Sequence, residues 1–589
     1  MTYSTLPRKG HLSDRFSVRV ASVMVLSFWL SIAAQYGCAA ANAATPSAAG
    51  IITLFPARDA TNVCPDAPLR ITLASAASVG SAGNIRIVDA ATNTPVATID
   101  VASPTSRQTI GGLTDFQYYP ILINARQNDI RQIDIHPPNN ALACDKTYYV
   151  TIDPQAVRDA DGKFAGFTKP TDWRFTTRTA PPAAGSKRLT VAADGTGDFC
   201  TVQAAVDFVP AGNTAPVIIF IARGTYNEIV YFARKNAITF LGQDRAATIL
   251  AYANNNNSNP AGGPYRRGMF QADHCNDITI ANLTMHNTTP YKGTQAEAII
   301  LNGTAASRAI ITDVDLDSFQ DTLQINGQAY ISHANIVGDV DFMWGAGPCF
   351  FEDCTCTSVH SNAYYTQIRN TQVNHGYVYD HCGFLGTAGV TGDVLSRIDP
   401  QRFPYSEVVL LDCTLGPSVG PAAWRFDAPT PARGGVAGPA PTAAPNVHFW
   451  EFNNRDLNGA PVDTSRRFAA SKRLDEKQDA ATIANYRNPA YVLGNGWTPS
   501  LAPIITTQPA NVSVTGGSKV TLTVACAAVP EAAYQWRKNG VDIAGATAAD
   551  YTIPSATLGD AGSYRVVITN SAGHATSDTA NVTVGLSGL

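Results

Sequence analysis

Charge is scarce in this chain. Only 15% of its 589 residues are Asp, Glu, Lys or Arg, the formal net charge is -4, and no basic cluster stands out after Arg19. No nucleic-acid partner is expected, since that contact needs a concentrated positive face. Long apolar runs are equally few. The one near the start, VASVMVLSFWLSIAA, is too short for a membrane span. Arg8, Lys9, Arg15 and Arg19 precede it and small residues ending in Ala41-Asn42-Ala43 follow, the order of a secretory leader over residues 1–43. Gly37-Cys38 offers lipidation as an alternative, the one route by which a membrane would enter. Gln35 stands where such a site has an aliphatic residue, so simple export, extracellular or periplasmic, is expected. A dense disulfide framework is also missing, although eleven cysteines are present. Cys354, Cys382 and Cys413 close the similar runs FEDC, YDHC and LLDC, about one structural repeat apart, and read as stacked core thiols. Cys64 and Cys144, the only two between residues 51 and 178, are the disulfide candidates.

The length allows about three or four ordinary domains, or fewer if one is an elongated repeat. From 51 to 178, runs such as LRITLAS, NIRIVDA and TYYVTID alternate with Pro, Gly, Asn and Asp turns, which predicts a small immunoglobulin-like β-sandwich. TAPPAAGS then reads as a linker. A second sandwich is expected over 504–586, where KVTLTVA, AYQWRKNG and DAGSYRVVITNSAG resemble the immunoglobulin superfamily. Trp536 stands for its buried strand residue, Tyr564 for its corner tyrosine, and Val524 and Val566 replace its two cysteines.

Between the sandwiches, over 187–500, short β-branched runs recur. NAITFLG, NDITIANLTMHN, RAIITDVDLDS, HANIVGDVDFMWG, PCFFEDCTCTS, HGYVYDHCGFLG and SEVVLLDCTLG each run into Asn, Asp, Gly, Ser or Cys, at intervals of roughly 20 to 40 residues. A repeat of that length returns the chain to the start of the next coil, so the prediction is a right-handed parallel β-helix within an all-β chain. TVQAAVDFV, apolar at Val202, Ala205, Val206 and Val209, has the spacing of a helix that covers the open end.

Three polar groups interrupt this packing text: Gln295 in GTQAEAII, Gln320 and Asp321 in SFQDTLQI, and Asp339 and Asp341 in GDVDFMWG. If they lie on neighbouring coils they meet on one outer face. Of two carboxylates brought close, one can stay ionised and attack a carbonyl while the other keeps a proton for the leaving group. Amides can serve a developing oxyanion and an arginine can hold the attacking carboxylate ionised. The same residues also fit a turn ladder of hydrogen-bonding aspartates. Asp339 and Asp341, on one side of a strand by the two-residue period, also fit a cation site.

The span 187–500 resembles the pectin methylesterase family. LTVAADGTGDFCTVQAAVDFVP, IARGTYNEIVYF and ITFLGQDRAATIL match its opening in order; QAEAIILNG, FQDTLQ and GDVDFMWG match its three active-site blocks; FWEFNNRD and GNGW match its end. The resemblance implies a β-helix enzyme that hydrolyses methyl esters of galacturonate in pectin, acting as a monomer without metal or other cofactor. It implies Asp341 as nucleophile, Asp321 as acid and then base, and Gln295 and Gln320 as the oxyanion hole. The family's arginine block, Leu-Gly-Arg-Pro-Trp, is matched by LSRIDPQRF, which assigns the arginine to Arg397, with Arg402 as competitor. There Ser396 replaces Gly, and Ile398-Asp399 replaces Pro-Trp, so the family's sugar-stacking tryptophan is gone. Phe342, Trp344 and Trp424 are the expected substitute platforms, with core as the competing role for each. Asp339 also departs from the family, and a charge there is expected to raise the pKa of Asp341 unless Arg397 offsets it. Two rivals remain: a calcium-dependent pectate lyase or a polygalacturonase on the same fold, and a pectin-binding surface protein without activity.

Overall fold

A computed structural model describes residues 51–105, 108–110, 117–118, 121–125, 129–258, 267–429 and 438–586. The leader expected over residues 1–43, with Cys38, lies outside the described residues. Among those described, no helix is long and apolar enough to cross a membrane.

Three parallel sheets of eleven, eight and eight strands form a β-helix. Each coil contributes one short strand to a sheet, and a residue stacks on its equivalent in the next coil. Ile238, Ile278, Ala309, Ala329, Cys349, Tyr377, Val408 and Phe449 are successive partners in one such column. All of them are buried in a single core, which is why the apolar runs recur in the sequence. Cys354, Cys382 and Cys413 are also fully buried there, each thiol donating to a carbonyl oxygen two residues back.

The eleven-stranded sheet is covered on its outer face too. Glu407–Leu411 is buried at every position. Tyr330, Phe350, Val378 and Val409 pack there beneath helices Ala480–Tyr486 and Pro489–Leu493 and beneath Val529 of the C-terminal module. Burial on both faces demands the unbroken apolar strands seen here. One charge lies in this layer. Glu407 accepts from Nδ1 of His375 and of His448, both at 2.8 Å, and from Tyr486 Oη at 2.6 Å. Burial alone would raise its pKa, but these bonds hold it down to about 2.

The open end of the coils is closed by helix Val202–Phe208, whose N-cap Thr201 accepts from Ala204 N through its side chain. Val202, Ala205 and Val206 are buried beneath it. The N-terminal module stacks a four-stranded on a five-stranded sheet. Its pairings are antiparallel apart from Phe175 with Ala60. In the C-terminal module Trp536 is fully buried, Tyr564 Oη donates to Asp560 O at 2.8 Å, and Val524 and Val566 fill the core.

The expected Cys64–Cys144 bond is absent, and both residues carry free thiols. Cys144 is half-buried, whereas Cys64, after strand Ala60–Val63, is fully buried and directed at the β-helix loop. Its sulfur lies 2.9 Å from Arg178 Nη2 and 3.6 Å from Gly197 O.

Candidate active site

Asp321 and Asp341 occupy equivalent turns of successive coils. Their following strands, Leu323–Ile325 and Met343–Gly345, pair Leu323 with Met343 and Gln324 with Trp344. The preceding residues meet in a parallel bridge between Gln320 and Val340, and Asp321 N donates to Val340 O at 3.0 Å. Both aspartates have positive φ, 64° and 47°, a conformation that short polar side chains tolerate better than bulky ones. This corrects the expectation that Asp339 and Asp341 share one face of a strand. Neither lies in a strand, and the turn sends them apart. Asp339 Oδ2 sits 3.4 Å from His360 Nδ1, and burial raises its pKa despite that partner.

Asp341 is held by Arg397, whose Nη1 also lies 3.6 Å from Asp427 Oδ2. Arg397 Nε donates to Oδ1 at 2.8 Å and Nη2 to Oδ2 at 2.6 Å, a two-point clasp, while Gln367 Nε2 adds a bond at 3.1 Å. Arg369 donates to the other end of the Gln367 amide, which fixes its orientation. Burial alone would lower the pKa of Arg397, but the bond to Asp341 carries it upward. Arg402 instead packs over the Phe403 ring at 5.1 Å. Arg397, the first choice from the sequence, is therefore the arginine that meets Asp341. The altered block is accommodated locally: Ser396 points inward and donates to Thr366 O at 3.3 Å, Ile398 is core, and Asp399 caps a turn by accepting from Gln401 N.

Asp321 shares its cation. Arg267 donates from Nε to both oxygens of Glu297, at 2.8 and 2.9 Å, and from Nη2 to Asp321 Oδ2 at 2.9 Å. All three side chains are at most 10% exposed. Burial, then the charge of Glu297, pushes the Asp321 pKa well up; Arg267 opposes this and Asp341 adds to it. Burial likewise raises Glu297, against the pull of Arg267. Two buried carboxylates on one guanidinium retain a proton between them.

The two glutamines are neighbours through the backbone, since Ala296 N donates to Gln320 O at 3.1 Å. Both are half-buried. Thr294 Oγ1 donates to the Gln295 side-chain oxygen at 2.7 Å, leaving the amide hydrogens of Gln295 for another acceptor.

Of the three expected platforms, two are core. Phe342 is fully buried against Tyr365, and Trp424 is 2% exposed, stacked on Phe449 with Nε1 bonded to Glu451. Their rings point into the coil, where removing them would empty the core. Trp344 is half-buried at the site, with the guanidinium of Arg369 4.6 Å and that of Arg267 5.5 Å from its ring. A cleft of about 380 Å³ adjoins Arg397 and is lined by four arginines, Arg369, Arg397, Arg402 and Arg425, against two aspartates, Asp399 and Asp427. On the other flank Tyr291, 44% exposed, stacks on His360 and meets Phe319.

Arg267, Glu297, Gln367 and Arg369 are site residues that the sequence reading missed. Glu297 left a signal, a carboxylate inside the apolar run AEAIIL, which demands a buried partner.

The pectinesterase family model matches residues 188–470. A bacterial Ig-like domain model matches 46–177 and an immunoglobulin domain model 502–570. Pectinesterase 31 of Arabidopsis thaliana is 32% identical over 237 residues, 38% of this chain and 73% of that protein. A probable pectinesterase A of Aspergillus fumigatus is 26% identical over 340 residues, 56% of this chain and 92% of that protein. A solved pectin methylesterase from carrot is 21% identical with a TM-score of 0.45, covering 54% of this chain and 96% of the other. Similarity at the level of the Arabidopsis protein, over most of that protein's length and within the span of the family model, makes this chain an enzyme of the pectinesterase family.

Proposed function

We propose that the chain hydrolyses methyl esters of galacturonate residues in pectin, with Asp341 as nucleophile and Asp321 as acid and then base. The observation that carries this reading is the unequal pairing of the two carboxylates. Asp341, held at both oxygens by Arg397, is the one oriented for attack. Asp321, sharing Arg267 with Glu297, is the one that keeps a proton.

Asp341 attacks the ester carbonyl carbon, and the oxyanion that forms takes hydrogen bonds from the amides of Gln295 and Gln320. Collapse expels the methoxy group, which leaves as methanol with the Asp321 proton, and the galacturonyl group remains on Asp341 as an anhydride. Asp321, now a carboxylate held by Arg267, takes a proton from water as it attacks that anhydride. Galacturonate departs and Asp341 is restored. The cleft of arginines beside Arg397 suits a polymer that gains carboxylates as it reacts. Trp344 and the exposed Tyr291 offer aromatic faces to the sugar rings. Such a polymer lies outside the cell, which agrees with the leader expected over residues 1–43.

A calcium-dependent lyase would need Asp321, Asp339 and Asp341 to converge on one ion. Each instead has its own nitrogen partner, Arg267, His360 and Arg397 respectively, which favours the esterase. The test is methanol release from highly methylated pectin, with and without chelator. Asp341→Asn and Asp321→Asn should each lower it by about four orders of magnitude with the fold intact. Chelator-sensitive formation of unsaturated, ultraviolet-absorbing uronides would replace this reading with the lyase, and pectin binding without methanol would replace it with an inactive binder.

A further inference from the structure

We propose that Cys64 and Cys200 form a disulfide that fastens the N-terminal module to the capped end of the β-helix. The two residues are far apart in sequence and belong to different modules, yet both are buried, at 0% and 2% exposure, in the same apolar cluster. Their sulfurs and a carboxylate oxygen of Asp66 lie within 4.8 Å of one another.

The approach is fixed on both sides. Asp66 Oδ2 accepts from Cys200 N, Thr201 N and Thr201 Oγ1, each at 2.8 Å. Arg178 donates to Asp198 O at 2.6 Å and Gly197 O at 2.9 Å, and Arg70 to Ala193 O at 2.6 Å. The thiols therefore meet across a packed join instead of on loops that swing apart.

Their surroundings also make them unequal, which decides which sulfur attacks first. Cys64 Sγ sits 2.9 Å from Arg178 Nη2, and a hydrogen bond from Cys200, with the Arg178 charge, lowers its pKa against the cost of burial. The Cys200 thiol, bonded to Cys64 and buried, is pushed up. Cys64 thiolate attacks an external disulfide, forming a mixed disulfide and releasing one thiolate. The Cys200 thiol then passes its proton to a departing sulfur and attacks Cys64, so that two protein thiols and one external disulfide become one protein disulfide and two small thiols. Because both sulfurs are buried in the packed molecule, this exchange belongs to folding in an oxidising compartment.

The same trio could be read as a metal site, but the chemistry is against it. Among the described residues three ligand groups converge, Asp66 Oδ2 already accepts from Cys200 and Thr201, and a guanidinium stands beside Cys64 where the cation's charge would fall. The buried thiols of the coil stack offer a control. Cys354, Cys382 and Cys413 each donate to a carbonyl oxygen two residues back in their own coil and are expected to stay thiols.

The test uses the full chain exported to a bacterial periplasm, unfolded in denaturant with excess iodoacetamide and no reductant, then digested and mapped by mass spectrometry. A linked Cys64–Cys200 peptide that disappears on reduction is expected, with Cys354, Cys382 and Cys413 alkylated. Reductant should lower the Tm of this protein and leave that of the Cys64→Ser, Cys200→Ser double variant unchanged. Alkylation of both Cys64 and Cys200, a Cys64–Cys144 peptide, or one zinc per chain lost in the double variant would each overturn the proposal. None of these readouts depends on esterase activity.

Discussion

Two arginine and carboxylate groups stand one coil apart in the same sheet, built from the same residue types to opposite effect. At Asp341, Arg397 reaches both oxygens of a carboxylate that also receives Gln367, while its Nη1 lies 3.6 Å from Asp427 Oδ2. Around Asp321 the ratio is two acids to one base, with Glu297 taking the larger share of Arg267. The two differ in contact: Asp341 takes a two-point clasp, whereas Asp321 takes a single bond from a guanidinium already engaged by Glu297. A buried guanidinium can hold one carboxylate ionised, and a second one nearby keeps its proton.

Removing the shared cation should have the largest effect. Arg267→Leu leaves Glu297 and Asp321 buried with no counter-charge, and the expected loss of stability is about 3–5 kcal/mol, read from the urea midpoint, together with loss of methanol release. Glu297→Gln restores a one-to-one ratio at Asp321 without emptying the site. Relief of the neighbouring charge lowers the Asp321 pKa, and because the first step needs Asp321 protonated, the alkaline limb of the kcat/KM profile should move down by about one pH unit. An unmoved limb would mean that the proton resides on Glu297. The smallest effect is expected from Asp339→Thr. Asp339 faces His360 and feels the charge of Asp393, so methanol release should stay within about threefold, or roughly 0.7 kcal/mol of barrier. A larger change would restore the direct coupling that the sequence suggested.

The coil architecture was legible because stacking on an equivalent residue forces similar text to recur, as in the column from Ile238 to Phe449. Asp321, Asp341 and both glutamines were legible as polar breaks in that text, and Arg397 through a degraded but recognisable block. Arg267 and Gln367 were not. Their partners lie in other coils of unequal length, so only the register reveals the meeting. Core was already the competing role for Phe342 and Trp424, and the positive-φ residues before them, Asp341 and Ala423, hide from the sequence which way each ring turns. The partner of Cys64 was sought within its own module, whereas packing supplied one from the next.

Pairing of Leu323 with Met343 has a further consequence. Because the reactive aspartates precede these two residues on adjacent rungs, the gap between them is governed by the spacing of backbone hydrogen bonds, about 4.8 Å. The protein carries a built-in ruler made of main chain. Loops on the outside can lengthen, and side chains around the cleft can be exchanged, without altering the main-chain spacing of Asp321 and Asp341.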